Sequence, residues 1–138
     1  MRQITPRRAV AALAVTTSLA AFAAAVTATE SETYTLGDSS VIVHAHEFLT
    51  PEELDTLRVV GNDPQALALF MGDGPGHGAI AVAPAQGFIR NGMPAQGVAA
   101  LAQLPDAEAA RNAALSMCEQ ERSTGPSCVI VLELATTN

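Results

Sequence analysis

Two cysteines separated by nine residues, Cys118 and Cys128, bracket the join between the clearest helix of this chain and its clearest strand. In "PDAEAARNAALSMCEQER" (105–122), Asp106 and Glu108 sit in the first turn and Arg122 near the end, charges that complement the helix dipole. At helical spacing Ala110, Ala113, Ala114, Met117 and Cys118 share one face, with Glu108, Asn112, Ser116 and Glu119 opposite. A stripe of small side chains lets such a helix lie close against a sheet. "STGPS" ends it, and "CVIVLEL" supplies a strand with Val, Ile and Leu on both faces, the pattern of a central strand. Helix, short connector and central strand point to an α+β fold.

The N-terminus indicates the compartment in which those thiols live. "MRQITPRR" is basic, "AVAALAVTTSLAAFAAAVTA" is uncharged and apolar, and Val26-Thr27-Ala28 offers small residues before the acidic "TESE". That is the layout of a secretory signal peptide over residues 1–28, with a single exported domain over 29–138. A retained membrane anchor is the alternative, although Ala and Thr make the run only weakly hydrophobic. Arg7-Arg8 hints at twin-arginine export, but the residues after the pair favour general secretion. In a periplasmic or secreted chain, two cysteines are expected to pair. A zinc or redox thiol pair is the other reading, and the spacing is neither C-x-x-C nor that of a zinc knuckle.

Charge narrows the partners. Residues 29–138 hold four arginines against all fourteen acidic residues of the chain, a net charge of −10. This argues against nucleic acid, whose phosphates need a cationic surface, and, after signal cleavage, against anionic membranes. It suits a cationic ligand or a basic protein partner, or solubility alone. The chain has no lysine, which excludes Schiff-base and pyridoxal-phosphate chemistry and a P-loop.

"SSVIVHAHEFLTPEE" (39–53) is the stretch that looks most like chemistry. "TYTL" and "SVIVHAHEF" read as strands joined by "GDSS". Thr50, Pro51 and Glu53 then form a helix start with a capping box, and Leu54, Leu57 and Val60 give that helix an apolar face. "GND" stops it, and Asp63-Pro64 starts a second short helix through "QALALFM". On a strand, His44 and His46 share one face and Glu47 takes the other. Two such histidines can share a zinc or copper ion if a third ligand arrives. His77 in "GDGPGHG", expected to be a loop, is the candidate, with Asp73 or Glu47 as carboxylate partner. Asp73 and His77 could also form a general-base pair. The structural alternative is an edge strand whose histidines cover apolar surface, with Ile42 and Phe48 beside them.

"AIAVAP" reads as a buried strand, "FIR" as a returning strand and "NGMPAQG" as a loop, while "VAALAQL" stays ambiguous between helical turn and irregular segment. Arg90 and Asn91 stand where an anion could meet them, although one of the many acids is the plainer partner for Arg90. Ser116 lies mid-helix and no serine sits in a nucleophile elbow, so no catalytic residue is assigned.

"GAIAVAPAQG" (78–87) followed by "DAEAARNAALSMCEQERSTGPSCVIVLEL" (106–134) resembles a family of short exported bacterial domains, alphaproteobacterial members included, whose function is unknown. Its pattern is a G-A-I-A-x-x strand, a glycine turn, an A-x-x-x-A-L-x-x-C helix and a C-x-V-V strand. The resemblance spans residues 78–134 and implies a Cys118–Cys128 disulfide in an α+β domain. Many relatives carry a further cysteine pair, which this chain lacks. Some similar proteins bear the label 5-aminolevulinate synthase, which a chain without lysine contradicts.

The expectation is thus a small single α+β domain, a short sheet packed by two or three helices with one disulfide. Its expected role is a non-catalytic binding or accessory protein without a cofactor. The alternative is a zinc- or copper-binding protein or metallohydrolase using His44, His46 and His77.

Overall fold

The computed structural model describes residues 30–137, and the expected signal peptide lies outside them. Ten elements follow in order: β1 (Ser31–Leu36), β2 (Ser39–His44), α1 (Pro51–Asn62), α2 (Pro64–Met71), β3 (Gly76–Val82), β4 (Ile89–Arg90), β5 (Met93–Pro94), β6 (Val98–Leu104), α3 (Ala107–Glu121) and β7 (Val129–Thr136). One antiparallel sheet has the order β1-β2-β7-β3-β6, and β4 and β5 form a small separate hairpin. The fold is α+β, with β7 at the centre of the sheet as its two-sided hydrophobicity requires. No helix among the described residues is long and apolar enough to cross a membrane.

Strand alternation splits the interior into two cores of different character. Ala79, Ala81 and Ala83 of the β3 segment join Ala99, Ala110, Ala114, Cys118 and Cys128 in a cluster under α3. Ile80 and Val82 face the other way, toward Val41, Val43, Leu57, Leu67, Met71, Phe88, Val131 and Leu134 beneath α1 and α2. Alanine against alanine lets α3 sit close on β3, β6 and β7, while the larger side chains fill the wider space opposite. The ladder between β3 and β7 shifts register between Ile80 and Ala81: Ile80 pairs with Leu132 but Ala81 with Ile130. The extra residue, Val131, is a bulge. It turns Leu132 and Leu134 toward the larger core while Ile130 stays under α3.

Cys118, in the last turn of α3, is bonded to Cys128, the residue before β7. The Glu119 carboxylate accepts the Cys128 N–H at 2.6 Å and the Arg122 Nε–H at 2.7 Å, fastening the same turn a second time. Glu119 is therefore part of the helix-to-strand joint, whereas helical spacing alone placed it on the solvated face. Met117 moves the other way, 48% exposed, and Leu115 packs against the alanine cluster instead.

The first helices follow the sequence closely. Thr50 caps α1 with a complete capping box, and the Asp63 side chain accepts the Gln65 N–H to start α2. Gly61 plays another part than the expected stop. It lies inside the last turn of α1 against the Tyr34 ring, where an added Cβ would come within 2.6 Å of Tyr34 Cδ2. The glycine is a point of close approach between α1 and β1.

"GDGPGHG" is only half a loop, because β3 already begins at Gly76 and includes His77. At Gly78 a Cβ would meet Met71 Sδ at 2.8 Å and Leu101 O at 2.9 Å, so glycine here serves helix-on-strand packing rather than flexibility. "VAALAQL" resolves as the edge strand β6, and "FIR" pairs only with β5. Replacing both Cys118 and Cys128 with alanine should cost about 2 to 3 kcal/mol, the worth of closing so short a loop. Urea denaturation of the oxidised protein beside the double variant measures it; equal stabilities would contradict the clip.

Candidate functional site

α3 covers β3, β6 and β7 but packs no comparable surface onto β1 and β2, so among the described residues no helix covers that half of the sheet face. Val41 and Val43 are buried in the larger core, which turns Ile42 and His44 to that face. Ser31, Thr33 and Thr35 alternate along the edge strand and are exposed. Ser31 stands directly across from His44, and Ile42 directly across from Glu133.

These positions bring four polar side chains into a row. His44 Nδ1 lies 2.9 Å from Ser31 Oγ, and His44 Nε2 lies 2.6 Å from Glu133 Oε2. On the far side, Arg111 Nη1 of α3 donates to Glu133 Oε1 at 2.7 Å. The Glu133 and His44 side chains are 17% and 21% exposed. Burial alone pushes the Glu133 carboxyl up, but the hydrogen bonds from Arg111 and His44 prevail and hold it below the usual carboxylate range. An ionised carboxylate only accepts, so the hydrogen lies on His44 Nε2. In the neutral ring Nδ1 is then an acceptor, and the Ser31 hydroxyl donates to it.

His46 stands beside His44, ring centroids 6.5 Å apart, and stacks on Phe48 at 5.5 Å. It lies just beyond the end of β2, and its Nε2–H donates to the Ile130 carbonyl at 2.9 Å. His77 is placed elsewhere: it pairs with Ala135 and Leu104, on the side of β7 away from β2. No group of three or more His, Cys, Asp and Glu side chains among the described residues is arranged to hold a metal ion. Both ring nitrogens of His44 are engaged, so a metal there would have to displace Ser31 or Glu133. Asp73 offers its carbonyl to Gln103 Nε2 at 3.3 Å.

Glu133 was legible as a chemical anomaly, a lone charge in a strand apolar on both faces, and such a charge needs a partner. Ser31 carries no signal of its own in the sequence; only the register of the β1–β2 hairpin delivers it to His44.

Arg90 and Asn91 line a cleft of about 390 Å³ with Thr50, Glu52, Glu53, Thr56, Ile89 and Gly92. Its cation is already committed: Arg90 Nη1 donates to Glu53 Oε1 at 2.9 Å. Glu53 is 3% exposed. Beyond its capping bond to Thr50 N–H, it accepts the N–H groups of Phe88 at 3.1 Å and Ile89 at 2.8 Å. The capping glutamate thus also fastens the 88–94 hairpin to the start of α1. A second cleft, of about 380 Å³, is mainly apolar, with Leu36, Pro64, Leu67, Ala68 and Met71 along it. Protein-family models, curated proteins and solved structures contain no match to this chain.

Burial pushes the Glu53 carboxyl up, and the N–H donors of Ile89, Thr50 and Phe88, with Arg90, outweigh it and hold it below its ordinary value. A depressed folded-state pKa stabilises the protein above the unfolded value, about 4.3, and that stability is lost as pH falls through the folded value. Glu53→Ala leaves three N–H groups and Arg90 without their acceptor and should cost about 2 to 4 kcal/mol at neutral pH. The loss should shrink as the pH drops below the carboxylate range, read from urea midpoints at neutral and acid pH. A pH-independent loss would contradict this account.

Proposed function

We propose that the chain is an exported binding or accessory module whose partner is positively charged, a cationic ligand or a basic protein. The observation that carries this is the disposition of the arginines. Every arginine of residues 29–138 is paired with the protein's own carboxylates: Arg58 with Glu32 and Asp55, Arg90 with Glu53, Arg111 with Glu133 and Arg122 with Glu119. Glu30, Glu47, Glu52, Asp73 and Glu121 are exposed and form none of these ion pairs. The excess of unpaired carboxylates favours a negative surface, which repels anionic partners and steers cationic ones toward it. The Cys118–Cys128 disulfide supports an oxidising compartment, periplasmic or extracellular, in line with the signal-like N-terminal run.

Fluorescence anisotropy with a dye-labelled oligolysine peptide, and an oligoglutamate peptide as counter-probe, tests the reading. The oligolysine should bind at low salt and weaken on the order of tenfold by physiological ionic strength, where screening shortens the reach of surface charge. Binding of the oligoglutamate with similar affinity, or no oligolysine binding at low salt, would overturn it.

A further inference from the structure

We propose that Ser31 is a nucleophile activated by His44, and that the sheet face around it accepts acyl groups from small activated carboxylic esters. The elements of such a site stand in order: a hydroxyl within hydrogen-bond reach of an imidazole, and that imidazole oriented by a carboxylate on its other nitrogen. The ring is used in the opposite sense to the familiar serine-hydrolase arrangement, Nδ1 toward the serine and Nε2 toward the acid. The roles are otherwise the same. Arg111 holds the second oxygen of Glu133, so the acid stays where the ring needs it.

Ser31 is well placed for this work. It is exposed, yet it is held on both sides by the ladder, since the Ala45 N–H donates to the Glu30 carbonyl at 3.0 Å beyond it. Thr33 and Thr35 continue the same exposed row, which leaves room for a small acyl donor and builds no deep cavity for a large one.

The step balances within the site. As Ser31 Oγ attacks the ester carbonyl carbon, its proton passes to His44 Nδ1. The new Oγ–C bond forms and the C–O bond to the alcohol breaks. The departing alkoxide takes the proton back from His44, leaving an acyl-Ser31 ester and a neutral ring. Water, deprotonated by His44 in the same way, then releases the acid. General-base help of this kind is worth about 10²- to 10⁴-fold. Slow acylation of Ser31, followed by slow hydrolysis, is therefore the expected signature.

This inference goes beyond the binding reading and stands or falls separately from it, because peptide binding and serine labelling are independent measurements. The oxidised protein is treated with a fluorophosphonate probe, which forms an Oγ–P bond as fluoride leaves, and labelled residues are located by peptide mass spectrometry. Ser31 should label about 100-fold faster than the exposed loop serine Ser123. Ser31→Ala should abolish the fast label, His44→Gln should slow it to the Ser123 rate, and Ser123→Ala should leave it unchanged. Unfolding the wild-type protein in urea should bring Ser31 down to the Ser123 rate, a control that needs no variant to fold. Glu133 acts through His44 and is a positioning residue. Glu133→Gln should both slow labelling and move the His44 ring ¹⁵N shifts away from a pure Nε2–H tautomer. Equal labelling of Ser31 and Ser123 in the folded protein, or a fast label that survives His44→Gln, would overturn the proposal.

Discussion

A single charge in the central strand governs the arrangement of everything around it. β7 is flanked by strands on both edges and packed on both faces, and Glu133 is its one charged residue. A carboxylate in such a place must be met by hydrogen bonds or it opposes folding. Arg111 meets it from α3 and His44 from β2, so the charge ties the helix to the outer half of the sheet. Partly buried ion pairs add little net stability against an apolar replacement, because desolvation offsets the attraction. The physical value of this one is positional: it holds Arg111 of α3 against β7 and fixes the tautomer and direction of the His44 ring.

The two cores divide the work. Under α3 the small side chains Ala79, Ala81, Ala110 and Ala114 bring helix and sheet close, and the disulfide and Glu119 close the joint to β7. Beneath α1 and α2 the larger Val, Leu, Met and Phe side chains supply most of the apolar volume. The Val131 bulge lets one strand serve both, since a strictly alternating β7 would turn Leu132 and Leu134 to the helix that needs only small residues. Glu53 performs for the 88–94 hairpin what the disulfide performs for α3. It converts a helix cap into a tertiary fastening through the N–H groups of Phe88 and Ile89.

Much of this architecture could be read from residue order. The cap at Thr50, the restart at Asp63, the helix after Asp106 and the central strand after Cys128 each rest on local chemistry, and the structure shows all four. What local patterns misread was tertiary in origin. Gly61 and Gly78 look like breakers, yet they sit in a helix and a strand because Tyr34 and Met71 need the room. "VAALAQL" has no clean period because β6 is an edge strand with a backbone irregularity, Gln103 adopting a φ of 60°. The candidate site suffered most. H-x-H suggested that His44 and His46 should look for a third histidine, whereas the register sends His77 to the other side of β7. The partners of His44, Ser31 and Glu133, lie 13 and 89 positions away in the chain, and no motif spacing announces either.

Together these features describe a small domain whose arginines are paired with its own carboxylates, whose composition is acidic, and whose β1–β2 face carries an oriented imidazole. The orientation of that imidazole traces back to Glu133 being ionised: a neutral carboxyl would neither hold Arg111 in an ion pair nor require the hydrogen on His44 Nε2. The direct test is an NMR titration of the Glu133 side-chain carboxyl carbon in the folded protein. The account predicts a midpoint below the ordinary range of a glutamate carboxyl. A midpoint at or above that range would contradict it.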